Sequence, residues 1–508
     1  MVGGKESPRR PKLTGFVSNT TSLMANQHAV ALYVATHSFA MGVAIGWNSV
    51  ASFVMQVKNF PNDYISGPAT VSLCLGTCIG ALLLPAFVHF IGRPAPSSVL
   101  RFFMPTLFIA LGWLLTYFVD FEKQPVVLLV LGRLLSGMGV GGLYVLIALY
   151  LSEIASTKAR DVLLFYQQAA LSLGVAASYC FAHLIYQHQS TDLTFYTIYC
   201  ALTCLPALGL SCFLPPSPYS LREPKSILMK LHGRKDEEYL NFECQRIERD
   251  VEKIMLPMAK CTALREWSYW RTVMLTLILE ICRQLSGIQL LTANFISFAE
   301  FSSIASPYER RFTATEMSLH SCLSQAALAL LATAMVRWTG RRIMLLLSTC
   351  LMSLFALLLG FHFHDIMREN VQRVVVFESE WHLYVHSASF FGLYGLGFGA
   401  ACWTIMFDSF PLQLRVITPS VIVGIGWLSC SVFLCFIINI INLFGIDTVI
   451  WLFSAICGLA LFIGLFIPNP KREKENNSGD INSINRSENQ LSDNSRIRQI
   501  FQSQLENY

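Results

Sequence analysis

Long apolar stretches alternate with short polar segments along most of the 508-residue chain. Twelve of these stretches are long enough to cross the apolar core of a bilayer, which takes about 20 residues in a helix. Because that core offers backbone groups no outside hydrogen-bond partner, each stretch is predicted to form an α-helix. The stretches are approximately 29–51, 65–91, 99–119, 126–151, 162–186, 194–214, 271–298, 317–337, 343–363, 382–407, 417–441 and 448–467.

The polar segment 215–270 divides the predicted helices into two sets of six. Its apolar residues recur among dense charges, which predicts short amphipathic helices rather than a flexible linker. The predicted organisation is therefore an N-terminal tail (1–28), a first six-helix bundle (29–214), the linker (215–270), a second six-helix bundle (271–467) and a disordered tail (468–508). The apolar residues of the linker are Leu228, Leu231, Leu240, Ile247, Val251 and Ile254.

Lysines and arginines concentrate on one side of the predicted helices, which gives the chain an orientation. Short loops rich in these residues face the cytosol in membrane proteins. That side holds both tails, the linker and the segments around Arg93, Arg160, Arg341 and Arg415. Both termini are therefore predicted to be cytosolic. The plasma membrane is taken as the default location of this integral membrane protein.

Composition narrows the class of function. Apolar residues make up 54% of the chain and charged residues 14%, against roughly 25% charged residues in soluble domains. The net charge of +5 resides in short loops, so the expected surroundings are a lipid bilayer and no nucleic acid. The chain has no HExxH, GxSxG or P-loop motif, and no Cys/His cluster with metal-ligand spacing. We therefore expect no catalytic residue, no metal and no cofactor. The functional unit is separately expected to be a monomer.

Two charge patterns occur once in each half of the chain. A carboxylate precedes an arginine by seven residues, and the pattern returns 255 residues later. A Gly-Arg pair likewise returns after 248 residues. The repeats indicate a duplicated half, an architecture in which transporters bind substrate between the halves and rock around it. The charges concerned are Arg93, Glu153 and Arg160 in the first half, and Arg341, Arg342, Asp408 and Arg415 in the second.

These seven charged residues are predicted to form a cytosolic gate. They lie on one side of the membrane, and arginine makes planar, bidentate hydrogen bonds with carboxylates. Ion pairs between the bundles would hold the cytosolic side shut and would separate when the bundles move apart. The alternative is that the charges only set the topology and cap helix ends.

Six motifs follow one another in a specific order and spacing. They are GWNS (46–49), GRLLSGMGVGGLYVLIALYLSEIASTKAR (132–160), LPPSPYSL (214–221), QLSGIQ (284–289), GFGAACW (397–403) and IPNPK (467–471). Over roughly residues 29–470 the chain resembles the sugar porters of the major facilitator superfamily, of the facilitative glucose-transporter type. Among these it is most similar to the insect facilitated trehalose-transporter-like branch.

The resemblance implies both a fold and an activity. The fold is an all-α membrane protein with twelve transmembrane helices in two pseudo-symmetric six-helix bundles. The activity is facilitated diffusion (uniport) of a hexose, or of a disaccharide such as trehalose, by alternating access. Two alternatives stay open, namely a transport-inactive sugar sensor on the same fold and a transporter of a non-sugar solute. An intramembrane enzyme is a more distant third.

The resemblance also implies a ring of substrate-binding residues at mid-membrane. Amides both donate and accept hydrogen bonds, so they can pair with sugar hydroxyls, and aromatic faces pack against the apolar face of a sugar ring. The alternative for each glutamine is a hydrogen bond that holds two helices together. The implied ring consists of Asn48, Gln168, Gln284, Gln289, Gln325, Trp403 and Trp427.

Helix geometry adds a prediction about the seventh predicted helix. Gln284 and Gln289 are five residues apart, which places them about 140° apart on a regular helix. Both reach one cavity only if the helix bends or unwinds between them. We therefore predict a break at Ser286–Gly287.

Several residues depart from the pattern of the resembling family. Arg283 stands where the family has the first of two glutamines, and Glu280, three residues earlier, is its expected partner. This pair is either a neutral internal unit or part of a site for an anionic solute. Gly426 stands where an Asn precedes Trp427, which removes one sugar contact.

Other departures concern the gate, a hinge and coupling. Arg337 replaces an acidic residue and would repel the arginines at 341 and 342. Ala401 and Cys402 replace residues of a proline-rich hinge, which predicts a less flexible helix. Asn48 stands where the proton symporters of the family carry Asp. Because Asn holds no titratable proton, transport is predicted to be independent of a proton gradient.

Overall fold

The structure, a computed structural model, describes residues 26–57, 66–91, 97–119, 126–156, 159–188, 193–220, 224–232, 237–255, 264–305, 312–367, 380–411 and 414–467. Within these ranges the chain has no β-strand, and twelve helices are long and apolar enough to cross a membrane. The predicted all-α fold with twelve spans is thereby confirmed. Arg93 and the C-terminal tail lie outside the described residues, and only residues 26–28 of the N-terminal tail are described. What the sequence indicates for these segments stays a prediction.

The first half contains spans 1 to 6. Span 6 consists of two short helices because the helix is interrupted at Thr203. The spans run Gln27–Val57, Ser66–Ile91, Ser98–Tyr117, Val126–Ile154, Arg160–Gln187, and Leu193–Leu202 continued by Cys204–Ser211.

The second half contains spans 7 to 12, and two of these are interrupted. Span 7 is divided into two helices, and span 10 contains a π-helical turn. The spans run Trp267–Leu285 with Ile288–Ala305, Ala314–Thr339, Arg341–Met367, Glu380–Leu393 with Tyr394–Phe398 and Gly399–Ser409, Ile417–Phe444, and Ile446–Phe466.

Helix packing is the same in the two halves. In the first half, span 2 packs on span 4, span 1 on span 5 and span 3 on span 6. The same pairings recur six spans later, as 8 on 10, 7 on 11 and 9 on 12. Between the halves, span 5 packs on span 8 and span 2 packs on span 11. These two contacts are equivalent, because spans 11 and 2 are the counterparts of spans 5 and 8 in the opposite halves. The helices therefore form two pseudo-symmetric six-helix bundles, while the exact domain boundaries stay predictions.

Small residues allow the helices inside a bundle to approach closely. A Cβ atom added at Gly76 of span 2 would lie 2.1 Å from the carbonyl oxygen of Leu134 on span 4. The facing Gly137 is equally constrained, since its added Cβ would lie 2.2 Å from the carbonyl oxygen of Leu73. Such close backbone contact is a main source of helix association in membranes, where lipid supplies no hydrophobic drive between helices.

Span 7 breaks at the residues predicted from helix geometry. The first helix ends at Leu285 and the second begins at Ile288, with Gly287 at φ +91° between them. This left-handed conformation is one that L side chains rarely adopt. A Cβ atom added at Gly287 would also lie 2.3 Å from the ring of Phe453 on span 12. Glycine is therefore required here by both backbone conformation and space, and the predicted break is confirmed.

Span 10 contains an irregularity that the sequence did not reveal. Tyr394–Phe398 forms a π-helical turn, at whose end the backbone N–H of Gly399 donates to the carbonyl oxygen of Tyr394. Ser348 of span 9 makes two further hydrogen bonds to this turn: its hydroxyl donates to the carbonyl oxygen of Leu393 at 2.6 Å and accepts from the backbone N–H of Phe398 at 2.9 Å. The residues at 401 and 402, which replace the proline-rich hinge, predicted a less flexible helix, and this reduced flexibility stays a prediction. The turn itself directs Tyr394 toward span 7.

The linker between the halves is helical where it is described. A short 3₁₀ turn at Pro218–Ser220 precedes helices at Pro224–His232 and Glu237–Met255. Four of the predicted apolar residues pack into one small core, which confirms that these helices are amphipathic. The core consists of Leu228, Leu240, Ile247 and Val251, with Tyr219, Tyr239 and Cys244 at its edge.

Candidate functional site

Ion pairs join the two halves at one end of the helix assembly. At this end short loops connect span 4 to 5, span 8 to 9 and span 10 to 11, and we call it the charged end. Arg160 lies 3.3 Å from Asp408, and Arg341 lies 3.1 Å from Asp161. Each of these pairs links a residue of the first half to one of the second. Arg341 also pairs with Asp408 within its own half. Sequence reasoning missed Asp161, although an acidic residue in the first turn of span 5 was a visible signal.

The other predicted gate residues have different partners. Glu153 pairs with Arg101 at 2.6 Å, entirely within the first half. The guanidinium of Arg342 donates to the carbonyl oxygen of Leu465 at 2.7 Å. Arg415 is largely enclosed, and its pKa is lowered by burial and by the neighbouring charge of Arg160. Only part of the predicted set therefore makes direct ion pairs between the halves, and the role of the set as a gate stays a prediction.

Two of the predicted substrate ligands meet between the halves. The side-chain amides of Gln168 on span 5 and Gln325 on span 8 each donate to the hydroxyl of Ser172 at 3.3 Å. Both glutamines are buried, and the carbonyl oxygen of Gln325 has no hydrogen-bond partner in the described part of the chain. Ser172, a missed residue, lies one helical turn after Gln168 and so faces the same direction.

Aromatic rings form a wall beside these amides. Tyr144 of span 4 stacks on Trp403 of span 10 with ring centroids 4.9 Å apart and an interplanar angle of 16°. The ring of Trp427 on span 11 lies 5.6 Å from Tyr144. The indole nitrogen of Trp427 is buried and has no partner among the described atoms. Both predicted tryptophans thus lie against one tyrosine of the other half, Tyr144. The sequence did not reveal this residue, because it stands within the apolar run of span 4.

Asn48 lies deep in the first half. Its side chain is buried, and neither its amide nitrogen nor its carbonyl oxygen has a hydrogen-bond partner in the described ranges. The nearby Arg133 is held by aromatic faces, with its guanidinium carbon 4.8 Å from the ring of Trp47 and 5.3 Å from that of Trp113. It also donates to the carbonyl oxygen of Ala44 at 2.6 Å. Asn48 therefore has unused hydrogen-bonding capacity.

A buried charge network surrounds the break in span 7. Arg283 donates to both carboxylate oxygens of Glu280, at 2.8 and 2.5 Å, and to the hydroxyl of Tyr394 at 2.9 Å. Its guanidinium carbon lies 4.8 Å from the ring of Trp403. The amide of Gln284 donates to Glu280 at 3.0 Å. The predicted partnership of Glu280 and Arg283 is confirmed, and the pair is electrically neutral.

The remaining predicted ligand, Gln289, lies in the second helix of span 7 and is half-buried. The break lies between it and Gln284, as the geometry required. That both glutamines reach one substrate stays a prediction. Arg337, the departure near the gate, has an exposed side chain.

A cavity of about 290 Å³ lies at the end of the assembly opposite the charged end. Its walls come from both halves, because spans 1 and 2 face spans 7, 11 and 12 there. Among the described residues, its lining includes none of the seven predicted ligands, which are packed closer to the charged end. The lining residues are Ser52, Gly67, Thr70, Leu290, Asn294, Ser297, Phe298, Leu434, Ile437, Ile438, Ile441 and Ile446.

The arrangement resembles that of known membrane transporters. The proton:xylose symporter XylE bound to 6-bromo-6-deoxy-D-glucose superimposes with a TM-score of 0.68, covering 87% of this chain and 97% of that one at 16% identity. The inward-open conformation of XylE from E. coli gives a TM-score of 0.63 at 18% identity, covering 88% and 98% of the two chains. At these identities the likeness establishes the fold, which is that of major facilitator transporters.

Sequence comparison identifies the family. The model of the family described as "Sugar (and other) transporter" matches residues 14–473, so the chain belongs to this family of membrane transporters, which are not enzymes. Sugar transporter ERD6-like 18 of Arabidopsis thaliana is 26% identical over 450 residues, covering 85% of this chain and 86% of the relative. Mouse solute carrier family 2, facilitated glucose transporter member 6, is 24% identical over 359 residues, covering 68% and 69%.

Proposed function

We propose that the protein carries a neutral sugar, a hexose or a disaccharide such as trehalose, across a membrane by facilitated diffusion. The observation that supports this most is the meeting of Gln168 and Gln325 on the hydroxyl of Ser172, because it places uncharged amides from both halves at one point. A ligand held there contacts both bundles. Movement of one bundle against the other can then expose the ligand to either side of the membrane.

The free hydrogen-bonding atoms suit a solute that is rich in hydroxyls. The carbonyl oxygens of Gln284 and Gln325 are buried acceptors, and the indole N–H of Trp427 is a buried donor. None of the three has a hydrogen-bond partner among the residues that the structure describes. Since a hydroxyl can donate to the carbonyl oxygens and accept from the indole N–H, a sugar can satisfy all three. The aromatic rings beside them offer an apolar face to the sugar ring.

The two ends of the assembly suit alternating access. The ion pairs Arg160–Asp408 and Asp161–Arg341 join the halves at the charged end, while a cavity lies between the halves at the other end. We assign the charged end to the cytosol because the lysines and arginines of the loops concentrate there. On this proposal both termini are cytosolic, the membrane is the plasma membrane and the functional unit is a monomer.

Transport is proposed to be a uniport. Asn48 occupies the position where proton symporters of the resembling family carry a carboxylate, and an amide does not titrate. In proteoliposomes, sugar uptake should then reach equal concentrations on both sides and remain unchanged when a pH gradient is imposed. Accumulation of sugar driven by the gradient would rule out uniport.

A substrate panel in proteoliposomes tests the proposal. Tracer flux of neutral hexoses, disaccharides, sugar acids and unrelated polyols would be measured beside equilibrium binding of the same solutes to the purified protein. Saturable flux of at least one neutral sugar is expected. Binding without flux would support a transport-inactive sensor instead, and flux restricted to a non-sugar solute would overturn the sugar assignment.

A further inference from the structure

The carboxylate of Glu280 restricts how the neighbouring amide of Gln284 can be oriented. An ionised carboxylate only accepts hydrogen bonds, so the amide must turn its NH₂ group toward it. The structure has this orientation, with the amide nitrogen of Gln284 3.0 Å from Glu280. The assignment of amide nitrogen and oxygen is usually ambiguous, but a charged neighbour that cannot donate removes the ambiguity. The carbonyl oxygen of Gln284 is then buried and has no hydrogen-bond partner within the described ranges.

We propose that Glu280 is a positioning residue that makes Gln284 a hydrogen-bond acceptor toward the substrate. The inference rests on the proposed function, and it narrows the substrate class: the solute must present a hydroxyl that donates at this point. Gln284 lies beside Gly426, the residue that precedes Trp427 in span 11. A solute with a carboxylate at this point would face a carbonyl oxygen and is disfavoured.

Arg283 keeps Glu280 in the acceptor state. All three guanidinium nitrogens of Arg283 are engaged, two by Glu280 and one by Tyr394, and one face of the group lies on Trp403. Because a guanidinium in a protein is always charged, the buried Arg283 requires a negative partner, and Glu280 is that partner. Three of the five N–H donors of Arg283 are used within the protein, so an anionic solute would have to compete with Glu280 for the guanidinium. Of the two interpretations of this pair, the geometry favours the neutral internal unit.

Gly426 provides the space that Glu280 occupies. A Cβ atom added at Gly426 would lie 2.7 Å from Cγ and 3.1 Å from a carboxylate oxygen of Glu280, and 3.4 Å from Cγ of Gln284. Any larger residue at this position would therefore displace the carboxylate. The two departures from the family pattern at residues 283 and 426 thus belong to one arrangement, in which Arg283 requires Glu280 and Glu280 requires Gly426.

The variant Glu280→Gln releases the constraint with almost no change in shape. Arg283 donates to both oxygen positions of Glu280, so the NH₂ group of the new amide meets an arginine donor whichever way it points, and neither orientation is fixed. In the orientation that turns this NH₂ group toward Gln284, Gln284 turns over and presents its own NH₂ group to the substrate. This inversion, which the carboxylate of Glu280 prevents, lets the position donate as well as accept, a change that a purely structural role for Glu280 does not predict.

Paired sugar analogues detect this inversion. At each carbon of a transported sugar, a deoxy analogue would be compared with its deoxyfluoro counterpart, because fluorine accepts weakly but cannot donate. In the unchanged protein, at least one position should lose affinity about two- to tenfold with both analogues, the range of one net hydrogen bond. In Glu280→Gln, the deoxyfluoro analogue at that position should bind about twofold or more better than the deoxy analogue, because the released amide of Gln284 can donate to fluorine.

Two further variants secure the comparison. Glu243→Gln removes the carboxylate of another i,i+3 glutamate–arginine pair, which lies in the linker with 3.5 Å between its charged atoms, and should leave the analogue profile unchanged. The double variant Glu280→Gln/Arg283→Gln carries no buried charge, so it serves if the single variant does not fold. It should shift the profile in the same direction, because the constraint on Gln284 is released there too.

The outcomes separate this inference from the function on which it rests. If the unchanged protein binds no sugar, the proposed function fails and the positioning role fails with it. If it binds sugar but every hydroxyl replaced by fluorine recovers affinity relative to the deoxy analogue, no donating hydroxyl is required and the inference alone is overturned. The inference alone is also overturned if the unchanged protein and both variants of Glu280 bind the deoxy and deoxyfluoro analogues with the same relative affinities.

Discussion

At the scale of single residues, the charge network in span 7 shows how a small residue and a large one depend on each other. The sequence predicted the partnership of Glu280 and Arg283 from their spacing, and it placed Gln168 and Gln325 in opposite halves. It did not reveal that Gly426 gives Glu280 room. Such a contact depends on which helices pack together, and the spacing of residues within one helix does not contain that information.

Gly426→Ala should destabilise the protein because the added methyl group overlaps the side chain of Glu280. Overpacking of this kind costs about 1–3 kcal/mol. Thermal unfolding of the purified protein in detergent measures the change. Gly209→Ala is the matched control, since a Cβ atom there meets nothing within 4 Å, and it should leave the unfolding temperature unchanged or raise it slightly. Equal effects of the two substitutions would argue against the shared space.

At the scale of helices, the break in span 7 was predictable and the π-helical turn in span 10 was not. The break follows from two glutamines on opposite sides of one helix and from the glycine between them, all of which lie in one short segment. The turn at Tyr394–Phe398 depends on the hydroxyl of Ser348, which comes from another span. Local rules identify the first kind of irregularity and have no access to the second.

Gly287→Ala should be more damaging than Gly340→Ala. Both glycines have positive φ, at +91° and +78°, but only the Cβ atom at Gly287 would meet a neighbour, the ring of Phe453 at 2.3 Å. Gly340→Ala should therefore cost only the backbone strain, of about 1–2 kcal/mol, whereas Gly287→Ala adds a steric overlap. Unfolding temperatures of the two variants provide the test. A smaller loss in Gly287→Ala would contradict the account of the break.

Ser348→Ala should weaken span 10. The substitution removes the acceptor of the Phe398 N–H and the donor to the carbonyl oxygen of Leu393, two buried hydrogen bonds to the turn. Each such hydrogen bond contributes about 0.5–1.5 kcal/mol. The chain offers Ser420→Ala as a control, because the Ser420 hydroxyl only donates to a carbonyl oxygen four residues back in its own helix. Comparable unfolding temperatures for the two variants would show that Ser348 does not support the turn.

At the scale of the whole molecule, the duplicated charges of the sequence correctly indicated two equivalent halves. The packing of the spans repeats after six, and the contacts between the halves are exchanged by the same shift. The particular ion pairs were less predictable, since Glu153 turns to Arg101 within its own half and Asp161 replaces it as a partner across the interface. Which of several nearby carboxylates an arginine meets is settled only when the helices are in place.

Asp408→Asn should shift the protein away from the conformation closed at the charged end. The substitution removes the partner of Arg160 across the interface and one of the partners of Arg341. A cysteine introduced as Asn294→Cys lines the opposite cavity and reports how open that end is. Its maleimide labelling in detergent, over the background of the native cysteines, should fall about twofold or more when Asp408 is changed. Glu237→Gln, which breaks an exposed pair in the linker, should leave the labelling unchanged.

The central claim is that side-chain amides from both halves hydrogen-bond to one sugar molecule bound between the bundles. Sugar counterflow in proteoliposomes tests this most directly, with Gln168→Ala compared to the unchanged protein and to Gln187→Ala, which alters an exposed glutamine at the far end of the same helix. We expect saturable exchange in the unchanged protein and in Gln187→Ala. In Gln168→Ala, half-saturation should require about tenfold more sugar, because the variant loses one hydrogen bond to the sugar between desolvated groups. The same half-saturation concentration in all three proteins, each inserted and folded, would contradict the claim.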